Sequence, residues 1–78
     1  KLIIKQVAKS KGVLQSHLQL DARVTPPLLN RYWNNKTSTI DLNELEKIAD
    51  ALGVSPNELI TSDKEFERMQ ERSEEDAA

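Results

Sequence analysis

Seventy-eight residues bound one small domain, whose core is marginal at that size unless it is helical and tightly packed. No cysteine is present, which excludes a disulfide framework and any thiolate metal site. The net charge of −2 hides an uneven split, with eight Lys/Arg against six Asp/Glu in residues 1–62 and three against seven in residues 63–78. The body is therefore mildly basic and the acidity is terminal, which divides the chain into a domain over 1–61 and an acidic helix or tail over 62–78. No apolar run approaches the roughly 20 residues of a membrane-spanning helix, and no signal peptide is visible. These features are those expected of a soluble cytoplasmic protein.

In chain order, Ile4, Val7, Ala8 and Lys11 share one face at helical spacing and predict a first helix over about 3–11, closed by Gly12. A second helix is expected from Gln15 to Ala22, with Leu18 and Ala22 facing inward. Thr25 is a good N-cap and Pro26 suits the first helical position, so a third helix starts there and runs to about Asn34. Asp41 with Glu44 resembles a capping box, and Leu42, Leu45, Ile48, Ala49 and Leu52 form the apolar stripe of a fourth helix that ends at Gly53. Ser55-Pro56-Asn57-Glu58 opens a short fifth helix carrying Leu59 and Ile60. Ser62 with Glu65 is a third capping signal; Phe66 and Met69 lie three apart, so a helix over about 63–72 is expected, with Ser73 to Ala78 fraying. Phe66 and Met69 need cover, first from helices 1 and 5 of their own domain and alternatively from a second subunit. Strand-like alternation is absent, and the chain reads as all-α.

Two short helices joined by a tight corner, a polar loop and a Leu-rich helix make the outline of a helix-turn-helix unit. Gly12-Val13, Gln15, Leu18, Val24, Asn34-Asn35-Lys36, Leu45 and Leu52-Gly53-Val54-Ser55 fall in one gap-free register. In that register the chain resembles the lambdoid repressor-like (XRE, or Cro/C1-type) domains over about 3–60. The resemblance implies a five-helix lambda-repressor-like DNA-binding domain in which helix 3 enters the major groove. Five positions depart from the family pattern. Leu14 replaces the Ser or Thr that caps helix 2, Arg23 replaces the corner Gly, and Asn35 replaces the loop Gly. Where the family pairs an Arg on helix 1 with a Glu late in helix 3, this chain has Ala8 and Trp33, which predicts a largely buried indole packed near Ala8.

The resemblance places base reading on Pro26, Pro27, Leu28 and Arg31. Arg31 offers a bidentate edge to guanine, while the other three offer only apolar surface for thymine methyls. Alternatively the two prolines only stiffen the helix start and Leu28 packs on a partner protein. Phosphate contacts are expected from Gln15 at the start of helix 2 and from the loop Asn34, Asn35, Lys36 and Thr37, with Thr25 and Arg23 nearby. Tyr32 is expected to place its ring on the core edge and its hydroxyl toward solvent or phosphate, and His17 to be a surface residue. With one His, no Cys and no Gly-rich loop, neither a nucleophilic triad nor a metal cluster can be assembled, so no enzyme, cofactor or metal is expected. Double-stranded DNA is the expected partner, bound as a homodimer by a bacterial or phage transcription regulator. The alternative is a protein-interaction module of the same fold, an antitoxin or adaptor, favoured by the prolines, Leu28 and the mild charge.

Overall fold

The computed structural model describes residues 1–69, so the expected end of the last helix at Arg72 and the fraying of Ser73 to Ala78 lie outside it. Four α-helices appear in chain order, α1 (Ile4–Ser10), α2 (Gln15–Ala22), α3 (Pro26–Trp33) and α4 (Leu42–Leu52), followed by a 3₁₀ helix (Pro56–Leu59). Residues 63–69 are helical as well. The fifth element is thus a single tight turn of Pro56–Leu59 rather than an α-helix, as suits four residues behind a proline.

Caps set these boundaries. Thr25 Oγ1 accepts from the Leu28 N–H at 3.4 Å, and Asp41 Oδ1 accepts from the N–H groups of Asn43 and Glu44 at 2.8 and 3.2 Å. The reciprocal half of the capping box at Asp41 does not form, because the Asp41 N–H donates to the Tyr32 hydroxyl instead. Glu44 turns to Lys47, 3.8 Å away. At Ser55 the reciprocal half does form, its N–H donating to Glu58 Oε2 at 2.6 Å. Helix α2 has no side-chain cap, as Leu14 requires.

All four α-helices end in one way. A residue in the left-handed region follows each of them: Gly12, Arg23, Asn35 and Gly53, with φ of 69°, 57°, 56° and 71°. The next residue then donates its N–H to the carbonyl five positions back: Val13 to Ala8, Val24 to Gln19, Lys36 to Arg31 and Val54 to Ala49, at 2.9, 3.4, 2.8 and 3.0 Å. This is the Schellman closure, in which the donor residue commonly also makes an apolar contact back to the helix. Three of the four donors are valines seated on the core; the fourth is Lys36, which is exposed.

The core joins Ile4 and Ala8 of α1, Leu18 and Ala22 of α2, Leu29 and Tyr32 of α3, Leu45, Ile48, Ala49 and Leu52 of α4, and Leu59. Helix α2 packs most extensively on α4, which leaves α3 held between the start of the chain and α2. Each fully buried Leu or Ile contributes about 1.5–3 kcal/mol. Two aromatic expectations need correction. Tyr32 is a core residue at 4 % exposure, and its hydroxyl faces neither solvent nor phosphate but accepts from the Asp41 N–H at 2.9 Å. Trp33 is only half-buried at the edge of the core rather than largely buried. Adjacent positions on a helix point about 100° apart, so with Tyr32 turned to the centre Trp33 falls on the boundary.

Residues 1–3 are bonded along both edges, which the sequence pattern does not indicate. Leu2 forms an antiparallel bridge with Ile60; Ile3 N–H donates to Leu59 O and Thr61 N–H to Lys1 O, both at 2.8 Å. On the other edge the side chain of Asn35 pairs with the backbone of Leu2. Phe66 and Met69 are half-buried, and the Lys1 ammonium stands over the Phe66 ring at 5.8 Å from its centroid, within cation–π range. Phe66 therefore finds cover within its own chain.

Candidate nucleic-acid interface

Helix α3 presents a narrow exposed strip. Pro26, Pro27, Asn30, Arg31 and Asn34 are all exposed, and spacings of three and four residues align them on one side. Leu28 does not belong to it: it is partly buried and packs against the core, so the expected apolar surface for thymine methyls reduces to the two proline rings. Asn30 is the residue that reading the sequence for this site missed. Its position four after Pro26 would have found it.

The two helix starts facing this strip differ in chemistry. At α3 the first two helical residues are prolines without N–H groups, and Thr25 takes the next N–H, so the helix offers almost no free donor there. At α2 no side chain caps the first turn, so its leading N–H groups remain open toward an anion. Gln15 and Ser16 on this turn line an open cleft of about 370 Å³ together with Gln19, Pro26 and Leu29. The cleft runs from the start of α2 to the start of α3. Gln19 is committed within it, its Nε2 donating to Val24 O at 2.7 Å and bracing the corner that carries Arg23. Arg23 itself is exposed at the left-handed position, so the corner keeps the glycine-type conformation with an arginine in it.

The loop after α3 is more ordered than its polar composition suggests. The Asn34 amide folds back onto Asn30, donating to the backbone oxygen at 3.0 Å and to the side-chain oxygen. Thr37 Oγ1 donates to Thr39 O at 2.6 Å. Asn35 turns inward: its Oδ1 accepts from the Leu2 N–H at 2.7 Å and its Nδ2 donates to the Leu2 carbonyl at 2.9 Å. With both ends of that amide engaged, the expected phosphate contact from its side chain is withdrawn. Lys36 stays exposed and is the loop's cation. Of the candidate polar groups, Gln15, Arg23, Arg31 and Lys36 thus remain available, without side-chain hydrogen bonds or ion pairs inside the described domain. His17 is exposed, as expected. Among the described residues no group of His, Asp and Glu is placed to hold a metal ion, and no helix is long and apolar enough to cross a membrane.

An uncapped α2, a tight corner and an exposed strip on α3 reproduce the parts of a helix-turn-helix unit. The family of Cro/C1-type HTH DNA-binding domains matches residues 4–65. The chain belongs to this family. A solved structure described as a SinR protein/SinI protein complex contains a chain of similar fold. It has a TM-score of 0.68 and 31 % identity, covering 90 % of this chain and 73 % of that one. No curated protein matches this chain. The family is a DNA-binding one, in agreement with the all-helical fold and the lambda-repressor-like arrangement.

Proposed function

We propose that this domain reads a specific double-stranded DNA sequence as a transcription regulator of bacterial or phage type, with α3 in the major groove. The observation that carries this reading is the exposed strip of α3, which bears Arg31 between the Pro26 end that adjoins the uncapped start of α2 and the cation Lys36 beyond its other end. Arg31 takes the bidentate edge of guanine, and Pro26 and Pro27 bring rigid apolar surface to the groove floor. The α2 N-terminus with Gln15, and Lys36 on the far side, hold the two flanking phosphates. Arg23 and Thr25 at the corner and Thr37 in the loop lie at the margin of this surface. A single eight-residue helix reads only one half-site, and the charge of the body is modest, so binding proceeds as a homodimer on two half-sites.

Selection of binding sites from random duplexes, followed by titration of two variants, tests the reading. Arg31→Ala is expected to relax guanine preference at one position per half-site by about 1–3 kcal/mol. Lys36→Ala is expected to weaken binding to all sequences alike. Parental affinity in both variants on a selected site would remove the direct-readout scheme.

A second reading, an interaction module that binds another protein, has its own support. Leu14 just before α2 and Leu20 on it are 62 % and 67 % exposed, and the structurally similar chain was solved in a complex of two proteins. Under this reading no duplex is bound in a salt-dependent way.

A further inference from the structure

The loop after α3 closes its helix with a lysine at the position where the other three helices use a core-seated valine. That substitution releases the turn from the core, because the apolar contact that fixes the closures at Val13, Val24 and Val54 is gone. A lysine on a turn held only by its own backbone would sweep a wide arc. One residue earlier, Asn35 adopts the left-handed conformation with φ of 56° and turns its amide to Leu2, where two hydrogen bonds of 2.7 and 2.9 Å complete a strand-like pairing. The partner is itself fixed, since Leu2 is 2 % exposed and bridged on its opposite side to Ile60.

We propose that Asn35 is a positioning residue: its amide, docked on the Leu2 backbone, takes over the anchoring that the lysine gave up, so that Lys36 faces DNA phosphate from a rigid turn. Glycine would serve the left-handed φ better but could not make this dock, which explains in physical terms why an amide stands here. The proposal rests on the DNA-binding reading above, and it assigns to Asn35 no contact with DNA. Holding Lys36 in place before binding removes ordering entropy that a free lysine would lose on contact, and so raises affinity for every sequence.

The test compares the parent, Asn35→Gly, Lys36→Ala and the double variant on one short random-sequence duplex, titrated over a range of salt. Asn35→Gly keeps the backbone conformation and removes only the dock. It is expected to lose affinity several-fold at an almost unchanged salt slope, because Lys36 still reaches phosphate but must first be ordered. The double variant should then bind as Lys36→Ala does, with the slope lowered by roughly 0.9 in both. Losses that add in the double variant would mean that Asn35 acts apart from Lys36, and unchanged affinity would mean that the dock positions nothing; either result overturns the proposal. Amide exchange of the free protein reports on the dock without DNA, and faster exchange at Leu2 and Lys36 is expected in Asn35→Gly. Should that variant unfold, Asn35→Ser, a neutral side chain too short to hold both bonds to Leu2, carries the same comparison. Absence of salt-dependent binding by the parent would instead defeat the DNA reading, while the exchange result would still decide whether the dock exists.

Discussion

At its start, α3 is fixed by residues within three positions of one another: the cap from Thr25, the rings of Pro26 and Pro27, and the Leu28 N–H that Thr25 receives. At its end it is fixed by residues far along the chain. The Tyr32 hydroxyl meets Asp41, and Asn35 meets Leu2, 33 positions away. The local end gains stiffness from covalent geometry, since proline presets φ near its helical value whatever the rest of the chain does. The distant end is stiff only once the whole domain has assembled. The helix is therefore seated independently of the fold at one terminus and through the fold at the other.

The sharpest way to break this contrast is Asn35→Ala. It puts an ordinary side chain in the left-handed region and deletes both bonds to Leu2, and is expected to cost about 2–3 kcal/mol in chemical denaturation. A loss below the error of the measurement would mean that the distant end is not held by this dock. Tyr32→Phe comes next. It keeps the buried ring but leaves the Asp41 N–H without its acceptor, for an expected loss of about 1–2 kcal/mol. At the local end Thr25→Ala removes a cap whose bond is long at 3.4 Å. About 0.5–1 kcal/mol is expected from thermal unfolding, the lower part of the usual range for such caps. A larger loss here than at Asn35 would invert the comparison. The smallest effect, and the only gain, belongs to Arg23→Gly. Relief of the left-handed φ at the corner should stabilise the domain by a few tenths of a kcal/mol, while removing one exposed cation from the proposed DNA side.

The same contrast explains what the sequence disclosed. Helices α2 and α4 begin and end where Gln15, Asp41 and Gly53 place them, because caps and left-handed terminators act over three or four residues and leave local marks. The family's glycines at the positions of Arg23 and Asn35 left open whether the corner would keep a positive φ or close differently; the structure keeps it at both. Single pairings between distant residues carry no period, so the bridge of Leu2 to Ile60, the dock of Asn35 and the hydroxyl bond of Tyr32 left no trace. In the candidate site, Pro26, Pro27 and Arg31 were placed by the family resemblance, and the structure exposes all three. Leu28 and Asn35 could not be placed that way, since whether each turned outward depended on a neighbour from another part of the chain.

The doubly bonded segment at residues 1–3 also bears on the order of folding. Its bonds to Leu59 and Thr61 close loops that span most of the described chain, and that to Asn35 closes one of 33 residues. Closing long loops costs entropy before the contacts they bring can offset it, so these bonds form after the helices have paired. On refolding, amide protection should therefore reach Leu45 and Ile48 first and Leu2 last. The loop bearing Lys36 would acquire its final shape in that late step, which makes the proposed DNA-facing surface among the last parts of the domain to mature.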